Sequence, residues 1–282
     1  MNNYLSLLKD IDENGVTKES RSGNTKSVFG RMLRFDLGEG FPILTTRKVA
    51  LRIAFEETWF FLRGETDTKK LEEKKINIWK GNTSREFLDD NNLQDLPEGS
   101  LGTGYSHQWR NFGGSIGIED GIDQISKLVE GLKNDPNSRR HIVTAWNPTQ
   151  LDGTPLPPCH VYHQYYISDG KLSSSFMMRS TDVPYGLPYN IMSYSLITSC
   201  IAKLLNLEVG EVVYFGNDVH IYEEQLPMIR DQVKRKPKSL PKLVIKKELK
   251  NIDDLLSMVY NDIKIEGYDP HPDFKNKPSM AV

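Results

Sequence analysis

The chain has 282 residues, of which 38% are apolar, 26% charged and 10% aromatic, enough to bury a sizeable core. A formal net charge of −2 removes any long-range attraction to nucleic acid or an anionic membrane, so an anion site must be built locally from a few arginines. No apolar run reaches the length of a membrane span, and the N-terminal MNNYLSLLKDIDENG lacks a secretory signal's basic and apolar regions.

Residues 4–13 carry Tyr4, Leu5, Leu8 and Ile11 at helical spacing and predict a short amphipathic helix. Residues 20–25 predict a polar surface turn that contains one arginine, Arg21. A strand over 28–37 and a turn over 38–40 follow. Residues 51–62, LRIAFEETWFFL, predict a strongly apolar helix with Gly64 at its C-terminal cap. Glu57 lies inside that helix. Such a carboxylate is either solvated at the helix edge or held there for a purpose, and taken alone it reads as solvated.

Residues 69–75 predict a charged helix, 76–79 a short strand and 80–100 a polar loop. Leu101-Gly102-Thr103-Gly104-Tyr105 has neither the Gly-Lys-Ser/Thr ending of a phosphate loop nor the dinucleotide glycine spacing. An amphipathic helix over 121–134 leads into a turn with paired arginines, Arg139 and Arg140, which are either solvated or placed to grip a phosphate. Residues 141–146 predict a strand.

The densest chemistry lies in residues 156–190, LPPCHVYHQYYISDGKLSSSFMMRSTDVPYGLPYN. A Pro-Pro-Cys-His turn precedes a β-rich run over 161–167, and Asp169-Gly170 predicts a hairpin. A second run leads into Arg179-Ser180-x-Asp182 and Pro188-Tyr189-Asn190. An apolar helix over 191–205 follows, then a strand over 212–215 that runs toward Asp218-Val219-His220-Ile221-Tyr222. Residues 223–235 predict helix and 243–245 a strand, and the chain closes on Ser279-Met280-Ala281-Val282. Helices and strands interleave without a βαβ rhythm, which predicts a single α+β domain over residues 1–282.

Two cysteines make neither a disulfide framework nor a zinc cluster, so a reducing cytoplasm and no metal are expected. Cys200, on the apolar helix, predicts an inert buried thiol. Cys159 follows two prolines, beside His160 and near arginines. It predicts a nucleophile with a depressed pKa. Cys159, His220 and Asn190 or Asp218 also compose a Cys-His protease, but arginines on three separate polar turns serve an anion better than a peptide. A pure binding module needs neither an activated thiol nor an acid/base carboxylate.

Leu-Pro-Pro-Cys-His at 156–160, Arg-Ser-x-Asp at 179–182, Gly-Leu-Pro-Tyr-Asn at 186–190 and His-Ile-Tyr at 220–222 together resemble the thymidylate synthase family. So do Phe41-Pro42-Ile43-Leu44-Thr45-Thr46, Ser138-Arg139-Arg140 and the terminal Met-Ala-Val. The resemblance covers nearly the whole chain. It implies an α+β domain with a large mixed sheet flanked by helices, and an obligate homodimer whose sheets pack face to face. It also implies reductive methylation of dUMP, with 5,10-methylenetetrahydrofolate as donor of carbon and hydride and no metal, membrane or nucleic acid required.

The resemblance implies roles residue by residue. Cys159 adds to C6 of the uracil. Glu57 relays protons, Tyr105 helps remove the C5 proton, and Asp182 and His160 complete the catalytic set with Asn190. Arg21, Arg179 and Ser180 bind the 5′-phosphate, together with Arg139 and Arg140 from the other subunit. Asn190 reads uracil through a carboxamide that donates to O4 and accepts from N3–H. His220 and Tyr222 hold the ribose 3′-hydroxyl. Ile78, Trp79, Asn82, Asp182, Tyr185, Gly186, Tyr189 and Val282 form the folate side, the tail closing over it.

Departures from the family pattern gather on the folate side: Thr103, Gly104 and Ser106 in the Leu-Gly segment, Lys80 after the tryptophan, Met178 before Arg-Ser, and His107 and His163. They raise an alternative, deoxyuridylate hydroxymethylase, in which water and not hydride captures the methylene intermediate and tetrahydrofolate is released. Thr103, His107 or His163 would then help to hold that water. Trp79 and the Met-Ala-Val tail belong to the water-excluding apparatus, and their presence favours the methyl-forming enzyme.

Overall fold

Tyr4, Leu5, Leu8 and Ile11 bury one face of α1 (Asn2–Asn14) against the sheet, as their spacing dictates. The computed structural model describes residues 1–20 and 22–275. After α1 the chain enters a hairpin of β1 (Val16–Ser20) and β2 (Gly23–Asp36), in which Ser20 pairs with Gly23 and Thr25 with Lys18. The turn expected over 20–25 is therefore largely strand. Polar composition suggested a loop, but β2 gains a ladder on both sides and its backbone is captured.

The apolar helix appears as α2 (Leu51–Leu62), and Gly64 follows it at φ 74°, its N–H on the Phe61 carbonyl at 3.0 Å. The charged helix is shorter than expected, α3 (Lys69–Glu72), because Lys75 turns left-handed at φ 59°. Residues 76–79 form no strand. Ile76 and Trp79 are both buried, and their spacing of three is met by successive turns with Lys80 N–H on the Asn77 carbonyl at 3.2 Å. The expected loop over 80–100 holds α4 (Arg85–Asp90), whose cap Ser84 accepts from Phe87 N–H at 3.2 Å.

Next come α5 (Tyr105–Asn111), which no periodicity announced, and α6 (Gln124–Asn134), capped by Asp123 on Ser126 N–H at 3.0 Å. Gly102 before α5 sits at φ 54°, and a side chain there would run into the Gly153 carbonyl. The remaining elements are β3 (Ile142–Thr144), β4 (His160–Ser168), β5 (Lys171–Asp182), α7 (Gly186–Leu204), β6 (Glu208–Tyr222), α8 (Leu226–Gln232), β7 (Lys242–Ile245), α9 (Ile252–Leu256) and β8 (Ile263–Glu266). Asp169 and Gly170, at φ 50° and 72°, make the two-residue β4–β5 turn.

Among the described residues the main sheet has six strands in the order β1-β2-β6-β5-β4-β3, with β7 and β8 paired separately. Only β5–β6 is parallel, as a crossover through α7 requires. α7 is apolar on all sides because it lies between the sheet and α2. Alternation along the strands turns Phe176, Tyr165 and Tyr214 into this helix-covered core. The opposite face carries a row of Met32, Phe215, Met177 and Tyr162 in register, with Met32 49% and Phe215 39% exposed. No helix among the described residues is long and apolar enough to cross a membrane.

Candidate active site

The β4–β5 hairpin brings Cys159, just before β4, beside Arg179 near the end of β5, where the Arg179 N–H donates to the Cys159 carbonyl at 2.9 Å. Prolines lack a donor but keep an acceptor, and the Arg179 guanidinium uses both: Nε donates to Pro158 O at 2.9 Å and Nη2 to Pro157 O at 2.7 Å. It also lies 5.6 Å from the Trp146 ring centroid. Tyr105, at the start of α5, accepts the Cys159 N–H at 2.6 Å. Cys159 is thus held through its backbone by β5 and α5.

Cys159 opens into a cavity of about 480 Å³ that Asn82, Arg179, Ser180, Asp182, His220 and Tyr222 also line. Its pKa runs opposite to expectation. Burial raises it above the ordinary thiol value, and Arg179 and the Tyr105 hydrogen bond only partly oppose this. Proximity to arginine was legible in the sequence; desolvation was not. Cys200 is buried as expected and pushed up to about 12.

His160 is bracketed by two residues of α7. Asn190 Nδ2 donates to its Nε2 at 2.9 Å, and the Tyr194 hydroxyl lies 2.9 Å from its Nδ1. An amide nitrogen only donates, so Nε2 accepts and the ring proton resides on Nδ1. Burial lowers His160 to about 4, which keeps the ring neutral near pH 7. Asn190 Oδ1 is buried and has no partner among the described residues. A carboxamide acceptor of fixed direction is therefore open to a ligand. Tyr194 was missed in the sequence; its signal was the spacing of four from Asn190, one turn along the same helix face.

Glu57 is half-buried, turned inward from the helix edge. Its carboxylate accepts the Trp79 indole N–H at 2.8 Å, and burial pushes it up to about 7 although that hydrogen bond pulls the other way. Asp182 accepts from Tyr185 N–H at 3.1 Å and from Gln225 Nε2 at 3.3 Å, and burial raises it as well. Asn82 is buried and lines the cavity with an unpartnered Nδ2 among the described residues. At the far end, His220 Nδ1 meets Asp218 Oδ1 at 3.0 Å, and Ser27 Oγ donates to that oxygen at 2.8 Å. Asp218 entered the sequence reading only as a partner of Cys159 and His220 in the discounted protease, and its spacing of two from His220 puts both side chains on one strand face.

Not every candidate converges. Arg139 and Arg140 are exposed before β3 and do not line the cavity. The Tyr185 hydroxyl faces Met228 sulfur at 3.8 Å, with Arg47 5.6 Å from its ring. Ile78 and Tyr189 are partly buried against the core, and Gly186 begins α7 beside the Asn190 carboxamide. Arg21 and Val282 lie outside the described residues. A larger cavity of about 720 Å³ opens between the β2–α2 connection, the end of α7 and β7. Its lining contains no cysteine or histidine, so the smaller cavity is the candidate site.

The departures noted in the sequence are largely absorbed by the scaffold. Lys80 pairs with Glu72 at 3.6 Å, Met178 is core, Thr103 Oγ1 donates to Gln150 O at 2.6 Å, and His107 Nε2 meets Gly114 O at 3.0 Å. None of Thr103, His107 and His163 lines the Cys159 cavity, the three residues that the hydroxymethylase alternative would use to hold water. Among the described residues no group of three or more His, Cys, Asp or Glu side chains is placed to hold a metal ion.

Comparison with known proteins shows the family to which the chain belongs. A sequence profile for the family described as thymidylate synthase matches residues 2–281. "Thymidylate synthase 1/2" of Encephalitozoon cuniculi (strain GB-M1) is 43% identical over 280 residues, covering 96% of this chain and 95% of that protein. A "Putative bifunctional dihydrofolate reductase-thymidylate synthase" of Oryza sativa subsp. japonica is 42% identical over 286 residues, 99% of this chain and 57% of that protein. The chain thus spans little more than half of the rice protein and nearly all of the microsporidian one. By profile and by identity along nearly its full length, the chain belongs to the thymidylate synthase family.

Proposed function

We propose that this protein is a thymidylate synthase, acting as a single catalytic domain that converts dUMP to dTMP at the Cys159 cavity. The observation that carries the assignment is Asn190, whose Nδ2 is committed to a neutral His160 and whose Oδ1 is left open. That pattern suits uracil: the second amide hydrogen donates to O4 and Oδ1 accepts from N3–H. Cytosine presents the reverse.

Cys159 adds to C6 of the pyrimidine and turns C5 into an enolate-like nucleophile. Its raised pKa in the ligand-free protein means that the thiolate develops as the adduct forms, with Arg179 and Tyr105 on hand to stabilise it. Glu57, near 7, exchanges protons with O4 at neutral pH, where a general acid/base works best. Tyr105 stands beside Cys159 for removal of the C5 proton. Arg179 and Ser180 bind the 5′-phosphate with Arg21, and His220 and Tyr222 the ribose.

Family membership brings 5,10-methylenetetrahydrofolate as co-substrate, which when bound supplies the one-carbon unit and the hydride. The unpaired Asn82 Nδ2 and the buried carboxyl of Asp182 offer the polar groups that a pterin edge needs. Trp79 and Ile78, with Tyr185, Gly186, Tyr189 and Val282, complete that side.

The working unit is a homodimer. The row of Met32, Phe215, Met177 and Tyr162 is an apolar sheet face without helical cover. Stacking two copies there would bury it and bring Arg139 and Arg140, exposed in one subunit, to the phosphate of the other. Two free thiols and the absence of a long apolar helix among the described residues fit a cytoplasmic enzyme.

The test is product analysis with purified protein, dUMP and methylenetetrahydrofolate. A nucleotide heavier by CH2, with dihydrofolate formed, is the expected outcome. A product heavier by CH2O, with tetrahydrofolate left unoxidised, would make it the hydroxymethylase.

A further inference from the structure

One buried side chain lies behind the wall of the Cys159 cavity and bonds to two of the residues that form it. Asp182 closes β5 and Tyr222 closes β6, parallel strands whose pairing runs as far as Asp182 beside His220. Asp182 and Tyr222 both line the cavity. After Tyr222 the chain makes one short helical turn, Glu223–Gln225, which folds the Gln225 side chain back to both strand ends. Gln225 is fully buried and is not among the residues that line the cavity.

Its amide has a single consistent orientation. The Tyr222 N–H can only donate, so the atom that meets it at 3.0 Å is Oε1, and Nε2 is the atom 3.3 Å from Asp182 Oδ2. The other Asp182 oxygen accepts the Tyr185 N–H at 3.1 Å. These donors matter because Asp182 is buried. Burial raises its pKa, while the Tyr185 and Gln225 hydrogen bonds and the nearby charges of His220 and Arg47 draw it back. With one donor lost, the carboxylate would take a proton more readily and present an O–H in place of an acceptor. A pterin edge presents N–H groups, so Asp182 serves it as an acceptor.

The other end of the amide bears on the nucleotide. By accepting the Tyr222 N–H, Gln225 fixes the backbone from which that side chain extends. The Tyr222 ring stands edge-on to His220, with 5.4 Å between centroids and 88° between planes. These are the two residues assigned to the ribose.

We propose, resting on the function and site assigned above, that Gln225 is a positioning residue for both substrates: its Nε2 holds the Asp182 carboxylate as an acceptor for the folate, and its Oε1 holds the Tyr222 backbone beside the ribose.

The two hydrogen bonds can be removed separately, which distinguishes this role from general support of the fold. Q225E keeps an acceptor for the Tyr222 N–H and removes the donor to Asp182. At pH 8 its KM for methylenetetrahydrofolate is expected to rise about ten-fold or more, with KM for dUMP changed by less than about two-fold. At pH 6 the introduced carboxyl, set against Asp182 with Arg47, His220, Tyr4 and Tyr185 around that carboxylate, takes up a proton and can donate again. The ratio of variant to parent KM for the folate then falls toward one. Q225M, of similar shape, removes both bonds, and both KM values are expected to rise by about three-fold or more. A Q225E protein whose two KM values move together, or do not move, would overturn the proposal. Should Q225E not fold, Q225M decides: KM values both unchanged would overturn it. Carbon-13 NMR of aspartate-labelled protein, with the Asp182 signal assigned through D182N, reads the bond without substrate. The Asp182 pKa is expected to be higher in Q225M than in the parent, and an equal value would overturn the hold on the carboxylate. If the parent itself fails to turn over dUMP, the assigned function falls, while the NMR titration still decides whether Gln225 holds Asp182.

Discussion

Trp79 donates its indole N–H to the Glu57 carboxylate over 2.8 Å, one favourable bond set against the burial that pushes Glu57 up to about 7. The folded protein therefore binds a proton at Glu57 that the unfolded chain, titrating at 4.5, does not hold between pH 4.5 and 7. Stability from this group is complete below pH 4.5 and is lost as pH rises through 7, about 3 kcal/mol in all. Glu57→Gln keeps an acceptor for Trp79 and removes the titration. Its melting temperature is expected to exceed the parent's at pH 8, with the gap closing toward pH 5, while kcat falls about 10²- to 10⁴-fold. Thermal melts across pH, paired with steady-state rates, check both, and a variant less stable than the parent at pH 8 would contradict the burial of that carboxylate.

Tyr105→Phe removes the side-chain acceptor of the Cys159 N–H and one of the two influences that hold the thiol pKa down. The lost hydrogen bond costs about 1–3 kcal/mol. The thiol pKa should rise further, so alkylation of Cys159 by iodoacetamide at pH 7.5 slows several-fold. Mass spectrometry of the Cys159 peptide follows it, with Cys200, buried at about 12, as an unreactive internal reference. An unchanged rate would mean that Tyr105 does not act on the thiol.

Asn190→Asp places a carboxylate oxygen against His160 Nε2, now an acceptor facing an acceptor. The conflict is relieved if the imidazole takes a proton, so the His160 pKa, held near 4 by burial, rises. kcat/KM for dUMP should fall on the order of 10²-fold or more, and the ratio of dCMP to dUMP use should increase. Rates with both nucleotides and an NMR titration of His160 provide the check; unaltered discrimination would remove Asn190 from the base-reading role.

Phe215→Glu puts a charge in the middle of the uncovered sheet face, between Met32 and Met177. Burying that carboxylate between two copies costs several kcal/mol. On the proposed dimer the variant is expected as a monomer in light scattering, with activity reduced more than ten-fold because Arg139 and Arg140 would then have no neighbouring site to reach. A variant that remains a fully active dimer would place the contact elsewhere.

Local signals were legible where the physics is local. The apolar period over 51–62 became α2 with the same ends, and the Asp169-Gly170 dipeptide became the β4–β5 turn, because side-chain spacing and left-handed φ preferences belong to the residues themselves. The β1–β2 hairpin around residue 20 and the turns at 76–79 were misread for the opposite reason. A polar stretch becomes strand when β6 supplies its ladder, and a short apolar run stays coil when its residues reach the core by successive turns.

The sequence by itself determined the family, the order of the motifs and most of the residue types that line the Cys159 cavity, since those are properties of the chain read end to end. Only the tertiary structure decided their electrical state. Burial turned Cys159 upward where neighbouring arginines suggested downward, raised Glu57 to about 7, and held His160 neutral between Asn190 and Tyr194, residues 30 and 34 positions away. Desolvation is set by what packs over a group, and that covering comes from distant parts of the chain.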